Sequence, residues 1–118
     1  MKRIISALLL VALFTGSAFA LSDKDYKQMK KDSKIFNEAD RKLGVVWRRI
    51  ENQVTKAAYS VFEMLKADQR DWIKSGRDKA ARKYIKEGFD DDDAYTIATY
   101  ERIGYLEGWE AVMFGDDD

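Results

Sequence analysis

The chain has 118 residues, with 21 Lys+Arg balanced by 21 Asp+Glu and with no His, Cys or Pro. That length holds one small domain, and the missing His and Cys exclude zinc sites built from those ligands, disulfides, thiol nucleophiles and any His-based triad. A formal charge of zero supplies no clustered cations for nucleic acid, and a Pro-free chain with 36% charged residues favours long helices.

The N-terminus reads as an export signal. Lys2 and Arg3 precede Ile4 to Phe14, apolar apart from Ser6, and Ala18-Phe19-Ala20 is the small-x-small pattern of signal peptidase. Residues 1–20 are therefore expected to be cleaved after Ala20, leaving 21–118 as one helical domain in the periplasm or outside the cell. The apolar run is about half the ~20 residues that cross a bilayer, and no Cys follows it for lipidation, so no stable membrane anchor is expected. Losing Lys2 and Arg3 from a neutral chain leaves a formal charge of −2.

Ser22 to Asp32 is strongly charged, with Tyr26 and Met29 as its large apolar groups; it is either a separate short helix or the frayed start of the next. From Lys34 to about Ala57, the apolar residues Phe36, Ala39, Leu43, Val46, Ile50, Val54 and Ala57 recur every three or four positions, one stripe of a 3.6-residue period. Trp47 widens that stripe. Ser60-Val61-Phe62-Glu63 has capping-box spacing, with Tyr59 and Met64 placed for a hydrophobic staple, so a second helix is predicted from Ser60. Its inner side runs Phe62, Leu65, Gln69, Trp72, Gly76, Ala80 and Tyr84, and Gly88 is its natural stop. The alternative, one helix from Lys34 to Glu87, would be about 80 Å long and would need a coiled-coil partner. A hairpin is more economical.

Asp90 to Asp93 supply a helix N-terminus, where the backbone dipole favours acidic groups. Ala94, Ile97, Tyr100, Ile103 and Leu106 predict a third helix ending near Gly108, with Trp109 to Phe114 packing back on the bundle and Asp116 to Asp118 as a solvated tail. The expected fold is all-α: a small antiparallel bundle of three helices, or four if residues 22–32 stand apart.

Gln69 and Gly76 are odd on an inner helix face, beside Trp72. A buried amide without partners costs roughly 1–3 kcal/mol, so Gln69 predicts a polar network. Arg77 is placed to reach a carboxylate on another helix, either Asp40 or Glu101. Gly76 removes a side chain where another helix approaches. The network either sets helix register or belongs to a partner-binding patch.

Three blocks carry a family resemblance. Asp40-Arg41-Lys42-Leu43-Gly44-Val45-Val46-Trp47, Leu65-x-x-x-Gln69-Arg70-x-Trp72-Ile73-x-x-x-Arg77-Asp78 and Thr99-x-x-Arg102-x-x-x-Leu106 resemble the lysozyme-inhibitor LprI-like N-terminal domain family. Its pattern is approximately D-x-x-L-N-x-x-Y, A-Q-R-x-W-x-x-x-R-D and T-x-x-R-x-x-x-L, and the middle block is the specific part. The resemblance implies a small exported helical protein of the bacterial envelope, with Asp40, Leu43, Gln69, Trp72, Arg77, Arg102 and Leu106 as motif residues of structural character. The chain departs from the pattern at Gly44 (for Asn) and Trp47 (for Tyr). It also lacks the Cys residues that tie the later helices of members together; Ala81 and Ala94 fall roughly where those would stand.

The family name implies inhibition of a lysozyme, an enzyme that works through a carboxylic acid and a carboxylate in a cleft. A mildly acidic exported protein suits a cationic glycosidase, with Asp90, Asp91 and Asp92 steering the encounter. Trp109, with Tyr105 and Phe114, is a candidate contact aromatic. A second reading is an envelope structural or assembly factor binding another exported protein. Catalysis is the least supported class: no Gly-rich phosphate loop, nucleophile elbow or HExxH occurs, and the acidic run lacks the Gly and Glu of an EF-hand. No catalytic residue, metal or cofactor is predicted.

Overall fold

The computed structural model describes residues 21–115. The predicted leader and the Asp116 to Asp118 tail lie outside the described residues. Among the described residues the chain is helical with no strand, an elongated bundle of 53 × 26 × 24 Å. No helix among them is long and apolar enough to cross a membrane.

Helix α1 spans Asp23–Asp32 and is a separate element. Ser22 caps it by accepting from the Asp25 amide at 3.1 Å, with Asp23 and Asp25 in the first turn and Lys30 and Lys31 in the last, each matched to the dipole. Ser33 divides it from α2, Lys34–Gln53: its backbone is extended, and its Oγ accepts from the Phe36 amide at 3.2 Å. The predicted stripe Phe36, Ala39, Leu43, Val46 and Ile50 is buried.

Helix α2 ends at Gln53, four residues before the expected Ala57, and the capping box at Ser60 does not form. Val54 turns extended, and Thr55 starts a 3₁₀ turn over Lys56–Ala58 by accepting from the Ala58 amide at 3.3 Å. Helix α3, Tyr59–Asp71, continues from that turn with no side-chain cap. Thr55 therefore does the capping, and Ser60 lies within the first turn of α3.

The second rod runs unbroken from α3 through a π-helical turn, Trp72–Gly76, into α4, Arg77–Lys86. The π turn inserts one residue and rotates α4 about the rod axis. The predicted inner line of Gly76 and Ala80 is thereby replaced: Arg77 and Ala81 are the fully inward residues, while Ala80 and Tyr84 are half-buried. Gly88 ends the rod as expected, with φ of 106°. The Gly88 amide donates to the Ile85 carbonyl and the Phe89 amide to that of Tyr84, a Schellman motif closed by Tyr84 and Phe89 rings 5.9 Å apart.

Helix α5 spans Asp91–Phe114, beyond the expected end near Gly108. Trp109, Met113 and Phe114 do pack onto the bundle, as further turns of the helix rather than as a returning segment. Gly104 and Gly108 each cost about 1 kcal/mol of helix propensity, which that burial outweighs. Gly115, with φ of 75°, closes the helix.

The rod directions are fixed by pairs that bridge them. Ser33 meets Asp92 and Arg49 meets Glu110, so α2 and α5 run parallel; Gln69 meets Arg102 and Asp78 meets Tyr95, so α3–α4 runs against α5. The three rods α2, α3–α4 and α5 are therefore antiparallel to their neighbours in sequence, the arrangement predicted. The interior holds two apolar clusters: the larger has Leu43, Val46, Ile50, Phe62, Leu65, Ile103 and Leu106. The smaller has Phe36, Ala81, Ala94, Tyr95 and Ala98, with Leu21, Tyr26 and Met29 covering it. Ala81 and Ala94 are both completely buried in this smaller cluster.

Candidate functional site

Between the two clusters lies a polar layer, and the motif residues build it. Arg77, on the first turn after the π segment, is buried and donates from one guanidinium nitrogen to Asp40 Oδ1 at 3.1 Å and Thr99 Oγ1 at 3.2 Å. Of the two predicted partners the fold selects Asp40; Glu101 instead accepts from the Tyr84 hydroxyl. Asp40 is shared with α1, since Lys30 Nζ donates to its other oxygen at 2.7 Å. Burial pushes the Asp40 carboxyl upward, but the hydrogen bonds and charges of Lys30 and Arg77 outweigh it and hold the group below the usual carboxylate range. Thr99 is fully buried and donates to the Tyr95 carbonyl at 2.8 Å, which frees its lone pairs for Arg77.

The second guanidinium completes the layer. Arg102 Nε donates to Gln69 Oε1 at 2.7 Å, supplying the partner that the buried amide requires, and Arg102 also donates to Asp68 Oδ2 at 2.7 Å. Trp72 contacts both cations: the guanidinium carbon of Arg77 is 4.8 Å from its ring centroid and that of Arg102 is 5.4 Å. Arg102 also covers Tyr105 at 4.5 Å, and Arg77 covers Phe36 at 5.3 Å. Each such contact contributes about 0.5–2 kcal/mol.

The π turn makes this geometry. A Cβ on Gly76 would stand 2.8 Å from Trp72 Cδ1, so the indole lies against bare backbone. Gly76 thus admits the Trp72 ring of its own helix, not the approach of another helix as the sequence suggested. Asp40, Gln69, Trp72, Arg77 and Arg102 are brought together; Leu43 and Leu106 flank them in the larger cluster. The roles of Lys30 and Asp68 had no sequence signal of their own, whereas Thr99 opens the third motif block. Each acts only through a rod that its local sequence does not mention.

The partner candidates fall elsewhere. Asp90 precedes the first turn of α5, which holds Asp91, Asp92 and Asp93. Asp92 accepts from Ser33 Oγ at 3.2 Å, joining α5 to the α1–α2 junction. Partial desolvation, then repulsion from Asp90, Asp92 and Asp25, raises the Asp91 pKa; Asp93 is raised the same way by desolvation, Asp92 and Asp90. One carboxylate oxygen each of Asp90, Asp92 and Asp93 lies within 4.8 Å of the others, a spacing that could hold a cation and that the free amides of the α5 N-terminus account for without one. Trp109 and Phe114 are half-buried against the larger cluster, whereas Tyr105, Tyr100 and Val112 are exposed on the outer side of α5. The far end of the bundle is closed by Arg49, bidentate to Glu110 at 2.8 Å through both nitrogens, with Gln53 on the same carboxylate.

Chemically, the mid-bundle layer is a set of guanidiniums that already hold carboxylate, amide, hydroxyl and ring partners. It sets the register of three rods. No family model matches this chain, and neither a curated protein nor a solved structure matches it.

Proposed function

We propose that this chain is an exported, non-catalytic protein-binding domain of the LprI-like kind, released after Ala20, whose target is a lysozyme-type glycosidase. The observation that supports the reading most is convergence. Three motif blocks, separated by 17 and 20 residues, meet in one layer, with Asp40 on Arg77, Gln69 on Arg102, and Trp72 against both cations. The burial of Ala81 and Ala94 in one small cluster supports it further, because packing there does the work of the missing bridge. Since the polar groups of the motif are saturated inside, binding falls to the surface: the acidic start of α5 and the exposed Tyr100, Tyr105 and Val112.

The test is a muramidase panel with purified residues 21–118 against chicken-type, goose-type and invertebrate-type lysozymes. Near-stoichiometric loss of lysis with at least one class is expected. Undiminished lysis across all three would remove the inhibitor reading. The second reading, an envelope assembly factor, draws on the outer face of α5, where open space around Gly104 and Gly108 suits the close approach of a partner helix. Recovery of a stable, non-glycosidase partner from periplasmic extract, lost in Gly104→Arg, would favour it.

A further inference from the structure

Leu21, the first residue after the expected cleavage site, is built into the smaller core. Its side chain packs with Tyr26 and Met29 over Phe36, Ala81, Ala94, Tyr95 and Ala98. Its backbone nitrogen donates to the Tyr95 hydroxyl at 3.4 Å, and that hydroxyl donates onward to Asp78 Oδ1 at 2.5 Å. Tyr95 is completely buried, and the Tyr26 ring lies 5.8 Å from its ring and from that of Phe36. A main-chain nitrogen is thus held at the head of a relay that ends on a carboxylate.

Hydrolysis of the Ala20–Leu21 peptide bond consumes one water and leaves a carboxylate on Ala20 and an ammonium on Leu21. The nitrogen that had one N–H and no charge then has three and a full positive charge. We propose that this new amino terminus is a structural element of the mature protein: the Leu21 ammonium docks on Tyr95 and, through its hydroxyl, on Asp78, so that processing locks α1 over the smaller core. The inference rests on the proposed cleavage after Ala20.

The surroundings favour a cation there. Asp78 arrives from α4 and Asp91 from α5, and both act on the Tyr95 hydroxyl. The N-terminal dipole of α1 opposes it, but Asp23 and Asp25 in that first turn counter the dipole. Charge-assisted hydrogen bonds are roughly twice as strong as neutral ones, so the docked ammonium holds more firmly than the precursor's amide.

The test compares melting temperatures of the chain beginning at Leu21 with a free amine and of the same chain acetylated at that amine alone. Acetylation keeps one N–H and removes the charge. The free chain is expected to melt about 4–8 °C higher, the shift typical of one added interaction in a domain of this size. In Asp78→Asn, and again in Tyr95→Phe, that gap should shrink to less than about 2 °C. Equal melting of the free and acetylated parent chains overturns the inference, as does a gap that survives undiminished in Asp78→Asn. N-terminal sequencing of the exported protein separates this failure from that of the cleavage reading. A start other than Leu21 sinks the cleavage and the inference together, whereas a Leu21 start with no acetylation effect sinks the inference alone.

Discussion

Arg77→Met tests the polar layer most directly. The substitution keeps most of the side-chain length and removes the guanidinium that holds Asp40, Thr99 and the rings of Trp72 and Phe36. The Arg77 side chain is 9% exposed and that of Asp40 is 24% exposed, so the pair is largely but not wholly out of water. Removing one member of a fully buried pair costs about 3–5 kcal/mol. Asp40 keeps Lys30 at 2.7 Å and some solvent, which places this variant nearer ~2–3 kcal/mol, or a melting temperature about 10–20 °C lower. Asp40→Leu leaves the more deeply buried cation with Thr99 as its remaining hydrogen-bond acceptor and should cost at least as much. The double variant should then be less damaging than the two single losses added together, by a coupling of about 1–3 kcal/mol. Urea unfolding followed by helical circular dichroism measures all three. If Arg77→Met melts within about 2 °C of the parent, or if the two losses simply add, the layer does not hold the rods in register and the reasoning fails.

The same geometry sets other outcomes. Gly76→Ala, which in an ordinary helix interior would stabilise by about 1 kcal/mol, should lower the urea midpoint here because its Cβ meets Trp72 at 2.8 Å. The sign should reverse when Trp72 is first changed to Ala. Gly104→Ala and Gly108→Ala meet nothing within 4 Å, so each should raise stability by up to about 1 kcal/mol in the same assay. The lowered pKa of Asp40 means that the folded state releases its proton more readily than the unfolded chain. Its contribution is therefore fully present above the unfolded carboxylate value of about 4 and is lost as the pH falls through the folded one. Melting temperatures from pH 7 down to 3 should drop less steeply in Asp40→Asn. Asp91→Asn removes a carboxyl whose charged form is disfavoured by desolvation and by Asp90, Asp92 and Asp25; a small rise in melting temperature at pH 7 is the expected result.

Local sequence determined the elements whose signals are local. The 3.6-residue stripe from Phe36 to Ile50, the stop at Gly88 and the acidic start of α5 all appear where the residues placed them, because periodicity, positive φ and the helix dipole act within a turn or two. Helix ends were less legible. Thr55 and Ser60 are both competent caps within five residues, and the choice fell to Thr55, whose cap leaves Val54 and Phe62 facing the larger cluster. Gln69 was recognisable as a polar group on an apolar stripe beside Trp72, but the partner of the nearby Arg77 was open between Asp40 and Glu101. That choice depends on how three rods lie beside one another. The π turn is the clearest case: nothing in Trp72-Ile73-Lys74-Ser75-Gly76 demands an extra residue in the turn. It forms where an indole meets two guanidiniums, that of Arg77 at the end of the same π turn and that of Arg102 on another rod, a position that no local period encodes. Likewise Gly104 and Gly108 weaken α5 locally, and the helix continues because the burial of Trp109, Met113 and Phe114 against the larger cluster exceeds that cost, a balance that exists only once the bundle is assembled.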